Sequence, residues 1–95
     1  MKILIVDDHP LIREALGSVL ATLDDGIEVI EASDVSAALA LAGQHGDLGL
    51  ILLDIYMPGM SGLDALDSFR TQFPEIPVVV MSGSENRADV MRAID

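Results

Sequence analysis

Leu50-Ile51-Leu52-Leu53-Asp54-Ile55-Tyr56-Met57-Pro58-Gly59 runs four aliphatic side chains without interruption into one carboxylate, and then into a Pro-Gly turn. A continuous apolar run bounded by turn residues is the pattern of a strand buried on both faces. Such strands belong mostly to parallel sheets covered by helices. Asp54 then stands where the strand leaves the core, and in open parallel sheets ligands bind at that carboxyl edge. Taken alone, the stretch also fits a polar residue that closes a strand and is solvated in its loop, so the rest of the chain has to decide.

Met1-Lys2-Ile3-Leu4-Ile5-Val6-Asp7-Asp8 is a second aliphatic run, and it ends in two carboxylates. In a doubly wound sheet the first and third strands are neighbours, so Asp7, Asp8 and Asp54 converge on one crevice. Three like charges drawn together repel by several kcal/mol at intermediate dielectric, and a hard divalent cation relieves that repulsion.

The remaining segments keep the same rhythm. A helix is expected from His9 or Pro10 to about Leu23, with Leu11, Ile12, Ala15, Leu16, Val19, Leu20 and Leu23 at helical spacing and Pro10 suited to its first turn. Asp24-Asp25-Gly26 breaks it, and Ile27 to Ala32 reads as the second strand. Asp34 caps a second helix from about Val35 to Gln44, whose packing face is Val35, Ala38, Leu39 and Leu41. Ser61 and Asp64 form a capping-box pattern for a third helix carrying Leu63, Leu66 and Phe69, which Pro74 closes. Ile76 to Met81 reads as the fourth strand, and Arg87 to Ile94 has the spacing of a fourth helix. Strand ends at Asp7, Ala32, Asp54 and about Ser82 lie 25, 22 and 28 residues apart, as expected for βα units with short connections. Alternating strands and helices imply a parallel sheet with right-handed crossovers and helices on both faces.

The fourth strand brings Ser82 to the same edge. A serine there is ordinarily a turn residue. Beside three acids it completes a constellation of cation site, carboxylate nucleophile and hydroxyl for a charged group. Mg²⁺ prefers a few carboxylates with water and substrate phosphate, and carboxylates form acyl phosphates, so phosphoryl transfer is the leading chemistry.

Asp7-Asp8-His9-Pro10-Leu11-Ile12-Arg13, Asp54-Ile55-Tyr56-Met57-Pro58-Gly59-Met60-Ser61-Gly62-Leu63 and Val78-Val79-Val80-Met81-Ser82 closely resemble response-regulator receiver domains, above all the NarL/FixJ group usually joined to a LuxR-type helix-turn-helix. The resemblance covers essentially the whole chain and implies a flavodoxin-like sheet of order 2-1-3-4. It implies that Asp54 is the phosphoacceptor and that Ser82 is the switch hydroxyl. Asp8 would bind Mg²⁺ directly, Asp7 mainly through water, with the Tyr56 backbone carbonyl completing the protein ligands. A sensor histidine kinase is the implied donor, and Tyr56 and Ser84 match positions that tune the lifetime of the phosphoryl group.

The family's fifth βα unit, with its strand-end lysine, has no counterpart in this sequence, whose only lysine is Lys2 at the opposite end of the first strand. Residues 1–95 are therefore expected to form one receiver domain, incomplete at the C-terminus. The fourth strand is then an exposed apolar edge, a template for self-association. A phosphorylation-independent interaction module is the alternative reading.

Composition sets the outer limits. Ninety-five residues with 51% hydrophobic content make one small domain, expected to bury roughly 60–65% of its unfolded surface. A formal net charge of −11, with five Lys and Arg against sixteen Asp and Glu, argues against DNA binding except through an output domain outside these residues. The absence of cysteine excludes disulfides and thiolate metal sites and fits a cytoplasmic location. Ile3 to Val6 is too short for a membrane span or signal core. A dehalogenase-like phosphatase needs a second acid where Tyr56 stands, and a flavodoxin-like cofactor domain needs a phosphate loop where Asp8-His9-Pro10 would repel an anion. His9 reads as a loop or helix-start residue, His45 as a turn residue, and Arg13 as a solvated helix residue.

Overall fold

Four short aliphatic strands pair in parallel: β1 (Lys2–Val6), β2 (Glu28–Ala32), β3 (Leu48–Asp54) and β4 (Val78–Met81), in the spatial order β2-β1-β3-β4. Helices α1 (Pro10–Leu23), α2 (Val35–Gln44) and α3 (Gly62–Gln72) connect them. The computed structural model describes residues 1–54 and 62–81, apart from the side chains of residues 62 and 63. Ser82, Tyr56, the Ser61 cap and the expected helix from Arg87 to Ile94 lie outside the described residues. The order 2-1-3-4 is that of a flavodoxin-like sheet, as expected.

Element boundaries follow local hydrogen bonding. Pro10 opens α1 at a position where its missing N–H costs nothing. Asp34 caps α2 through Oδ1, which accepts the Ala37 N–H at 2.7 Å. β2 begins one residue later than expected, because the Ile27 N–H turns back to the Asp24 carbonyl at 3.2 Å and so leaves the ladder. β4 begins at Val78 rather than Ile76. The Ile76 N–H closes a turn on the Phe73 carbonyl, and Pro77 has no N–H to pair, although its carbonyl accepts from Ile51 at 2.9 Å.

The sheet buries both faces. Leu4, Val6, Ile51 and Leu53 meet Val35, Ala38 and Ala42 of α2 and Ala65 and Phe69 of α3 on one side. Ile3, Ile5, Leu52 and Met81 form the other side, with Leu16 and Leu20 of α1 packed against them. β3 therefore alternates its aliphatic residues between two cores, which is why its sequence is apolar without a break.

The apolar residues at helical spacing in α1 are covered unevenly. No α1 residue is fully buried, and Leu11, Val19 and Leu23 are 79%, 57% and 71% exposed. Of its large apolar side chains, Ile12, Leu16 and Leu20, spaced four apart, are the ones drawn partly under cover. A wide apolar arc identifies the inward side of a helix but not how much of that arc a neighbour covers.

Candidate functional site

The register of the sheet builds the site. Val6 is paired with Ala32 on one side and Leu53 on the other, so Asp7 and Asp54 each stand one residue past the same rung. The Asp7 N–H continues the ladder to the Ala32 carbonyl at 3.1 Å. Asp7 and Asp54 are almost wholly buried, at 3% and 1% exposure, the two polar residues sealed in the core among those described. Asp8, just beyond, is partly exposed. The predicted convergence of Asp7, Asp8 and Asp54 at the carboxyl edge is thus observed.

Sequence reasoning missed His9. Its backbone is extended (φ −98°, ψ 106°) at the N-cap of α1, yet its side chain caps nothing in the helix. The ring turns back instead: Nδ1 lies 2.7 Å from Asp7 Oδ1, which also accepts the His9 backbone N–H at 2.8 Å. The same Nδ1 is 3.0 Å from Asp8 Oδ1 and 3.8 Å from Asp54 Oδ2. The hydrogen bond to Asp7 raises the His9 pKa above its ordinary value; the nearby carboxylate charges act in the same direction, and partial desolvation opposes them. The signal available in the sequence was adjacency, since an extended residue directly after two acids has a ring that reaches back to them.

Arg13 also departs from the expected solvated role. Its Nη1 donates to the Asp7 carbonyl at 2.6 Å and its Nε to Glu31 Oε1 at 3.1 Å, tying the first turns of α1 to the ends of β1 and β2. His45, by contrast, stays far from the site, at the other end of the sheet, with Nδ1 3.4 Å from Lys2 Nζ.

One donor atom from each of Asp7, Asp8, His9 and Asp54 fits within a 4.8 Å cluster. Asp8 Oδ1 is buried and makes no hydrogen bond among the described residues; His9 Nδ1 is within ion-pair distance of it but not in hydrogen-bonding alignment. Carboxylate oxygens gathered this closely, one of them lacking a hydrogen bond, suit a hard divalent cation. No described helix is long and apolar enough to cross a membrane.

With four parallel strands in this order and an acidic cluster at their carboxyl edge, the chain belongs to the response-regulator receiver domain family, whose profile matches residues 3–95. Its cluster is of the kind carried by phosphoaccepting, Mg²⁺-dependent receivers of two-component signalling, which are phosphotransfer modules rather than enzymes in the ordinary sense. The chain is 52% identical over 93 residues to the glycerol metabolism activator of Pseudomonas putida, covering 98% of this chain and 42% of that protein. It is 41% identical over 95 residues to the nitrate/nitrite response regulator protein NarP of Escherichia coli strain K12, covering 99% and 43%. It therefore spans less than half the length of either relative. Among solved structures, a chain from the complex of histidine kinase ThkA with response regulator protein TrrA superposes with a TM-score of 0.75 at 32% identity, covering 99% of this chain and 80% of that one. These likenesses place the chain near the NarL/FixJ group, as its sequence motifs imply.

Proposed function

We propose that residues 1–95 act as one receiver domain in which Asp54 accepts a phosphoryl group from the phosphohistidine of a sensor histidine kinase. Mg²⁺ would be held by Asp8 and Asp54, by Asp7 mainly through water, and by the backbone carbonyl of Tyr56. The observation that carries this reading is the burial of Asp54 at the end of the central strand, beside Asp7. A carboxylate oxygen of Asp54 attacks phosphorus. The O–P bond forms as the P–N bond to the donor imidazole breaks, and the imidazole keeps the electron pair and takes up a proton. When bound, Mg²⁺ neutralises the carboxylates and the incoming phosphoryl oxygens. Ser82 would donate its hydroxyl to a phosphoryl oxygen and so couple the new charge to the following loop. Arg13 contributes by holding the Asp7 backbone in place.

Similarity to the chain from the kinase complex supports a kinase as donor. DNA binding would lie outside these residues, since sixteen acids against five basic residues repel a polyphosphate. Similarity to proteins named as transcriptional regulatory proteins supports a transcriptional output. Intact mass after incubation with a small-molecule phosphodonor is expected to show one added phosphoryl group with Mg²⁺ and none after chelation. A folded sample that takes up none under either condition would overturn the reading.

A second reading has one observation in its favour. The outer edge of β4 pairs with no strand among the described residues, and Val78, Val79 and Val80 are only partly buried there. Such an edge recruits a second copy by strand addition, which would make the chain a phosphorylation-independent interaction or dimerisation module. A concentration-independent monomer in light scattering would exclude it.

A further inference from the structure

The geometry points to His9 as a nitrogen ligand of the divalent-cation site, one that biases the site toward first-row transition ions over Mg²⁺. This inference rests on the proposed role of Asp7, Asp8 and Asp54 as the cation's carboxylates.

In an octahedral shell at about 2.1 Å from the ion, neighbouring donor atoms stand roughly 3.0 Å apart and opposite ones roughly 4.2 Å. His9 Nδ1 lies 3.0 Å from Asp8 Oδ1 and 3.8 Å from Asp54 Oδ2, within the range set by donors that share one ion. Its shorter 2.7 Å approach to Asp7 Oδ1 is a hydrogen bond. That hydrogen bond is given up when Nδ1 turns its lone pair to an ion. The ring is also pre-placed: the His9 backbone N–H is pinned to Asp7 Oδ1 at 2.8 Å, and Pro10 fixes the next residue in the first turn of α1.

Tautomer chemistry permits the exchange. A neutral imidazole carries its proton on either nitrogen, and moving it to Nε2 frees the Nδ1 lone pair for a metal. The His9 side chain is 44% exposed, so a proton on Nε2 carries little desolvation cost. An all-oxygen set suits Mg²⁺, whereas imidazole favours Ni²⁺, Cu²⁺ and Zn²⁺. One nitrogen in place of a water therefore changes which ion the site prefers, while the carboxylates stay where they are.

The chain has two histidines, and His45 is at the opposite end of the sheet, which supplies an internal control. Ni²⁺ and Mg²⁺ affinities are measured separately by calorimetry on the untagged 95-residue chain, as wild type, His9→Ala, His9→Gln and His45→Ala, with folding checked by circular dichroism. The ratio of Ni²⁺ to Mg²⁺ affinity is expected to fall about tenfold or more in both His9 variants and to hold in His45→Ala. The Nδ1 resonance of His9 is expected to shift on diamagnetic Zn²⁺ binding. An unchanged ratio in the His9 variants, including one in which both affinities rise together because the ring merely blocks the site, would overturn the inference. Loss of the preference in His45→Ala would do the same. A wild-type chain that binds no Mg²⁺ would remove the phosphoacceptor reading as well, so the two failures are separable.

Discussion

Asp54→Asn is expected to take up no phosphoryl group and yet to melt at a higher temperature than the wild type in Mg²⁺-free buffer. The first effect follows from chemistry, because an amide has no carboxylate oxygen to form the O–P bond. The second follows from the position of the side chain. Asp54 is 1% exposed and lies in a cluster with Asp7 and Asp8, where close like charges cost free energy even when an imidazole offsets part of the repulsion. Asparagine keeps the shape, puts an N–H donor in place of one carboxylate oxygen and removes one charge, so a gain of about 1–2 kcal/mol is expected. Thermal melts with and without Mg²⁺ check it: the gap should close when the cation is present, since the cation neutralises the same charges. A variant that melts well below the wild type would show that the cluster stabilises the fold rather than storing repulsion.

Phe69→Ala is expected to destabilise the domain by about 3–5 kcal/mol, much of the stability a domain of this size has. Among the described residues Phe69 is the largest fully buried side chain, and it joins α3 to the face of the sheet that carries Leu4, Val6, Ile51 and Leu53. Removing its ring leaves a cavity under β3, the strand that positions Asp54. For a chain of 95 residues the melting temperature should fall by roughly 12 °C or more. Chemical denaturation gives the size directly. A loss under 1 kcal/mol would mean that α3 contributes little to the core.

The architecture was legible because its signal is local. The unbroken run from Leu50 to Leu53 specifies a strand covered on both sides, and the spacing of strand ends specifies βα units, so a parallel sheet and the meeting of Asp7, Asp8 and Asp54 followed from topology, while the order 2-1-3-4 came with the family resemblance. The limits of α1 and α2 followed equally from Pro10, from the Asp24-Asp25-Gly26 break and from the Asp34 cap. What the sequence did not reveal depends on reach and coverage. Periodicity placed Leu11, Val19 and Leu23 at helical spacing but not their exposure; coverage of α1 is decided by how the helix lies on the sheet, and its partly covered large apolar side chains are Ile12, Leu16 and Leu20. His9 read as the start of a helix because composition says nothing of ψ, and the extended backbone at 106° accompanies a ring turned back onto the acids. Arg13 read as solvated because its long side chain finds its partners, the Asp7 carbonyl and Glu31, on two different strands.

The central claim is that Asp54, rather than its acidic neighbours, forms the acyl phosphate. Borohydride reduction after phosphorylation converts an aspartyl phosphate to homoserine, and peptide mass mapping then reads the position. Homoserine is expected at residue 54 in the Mg²⁺-treated chain, with aspartate retained there after chelation. Homoserine at residue 7 or 8, with residue 54 unchanged, would contradict it.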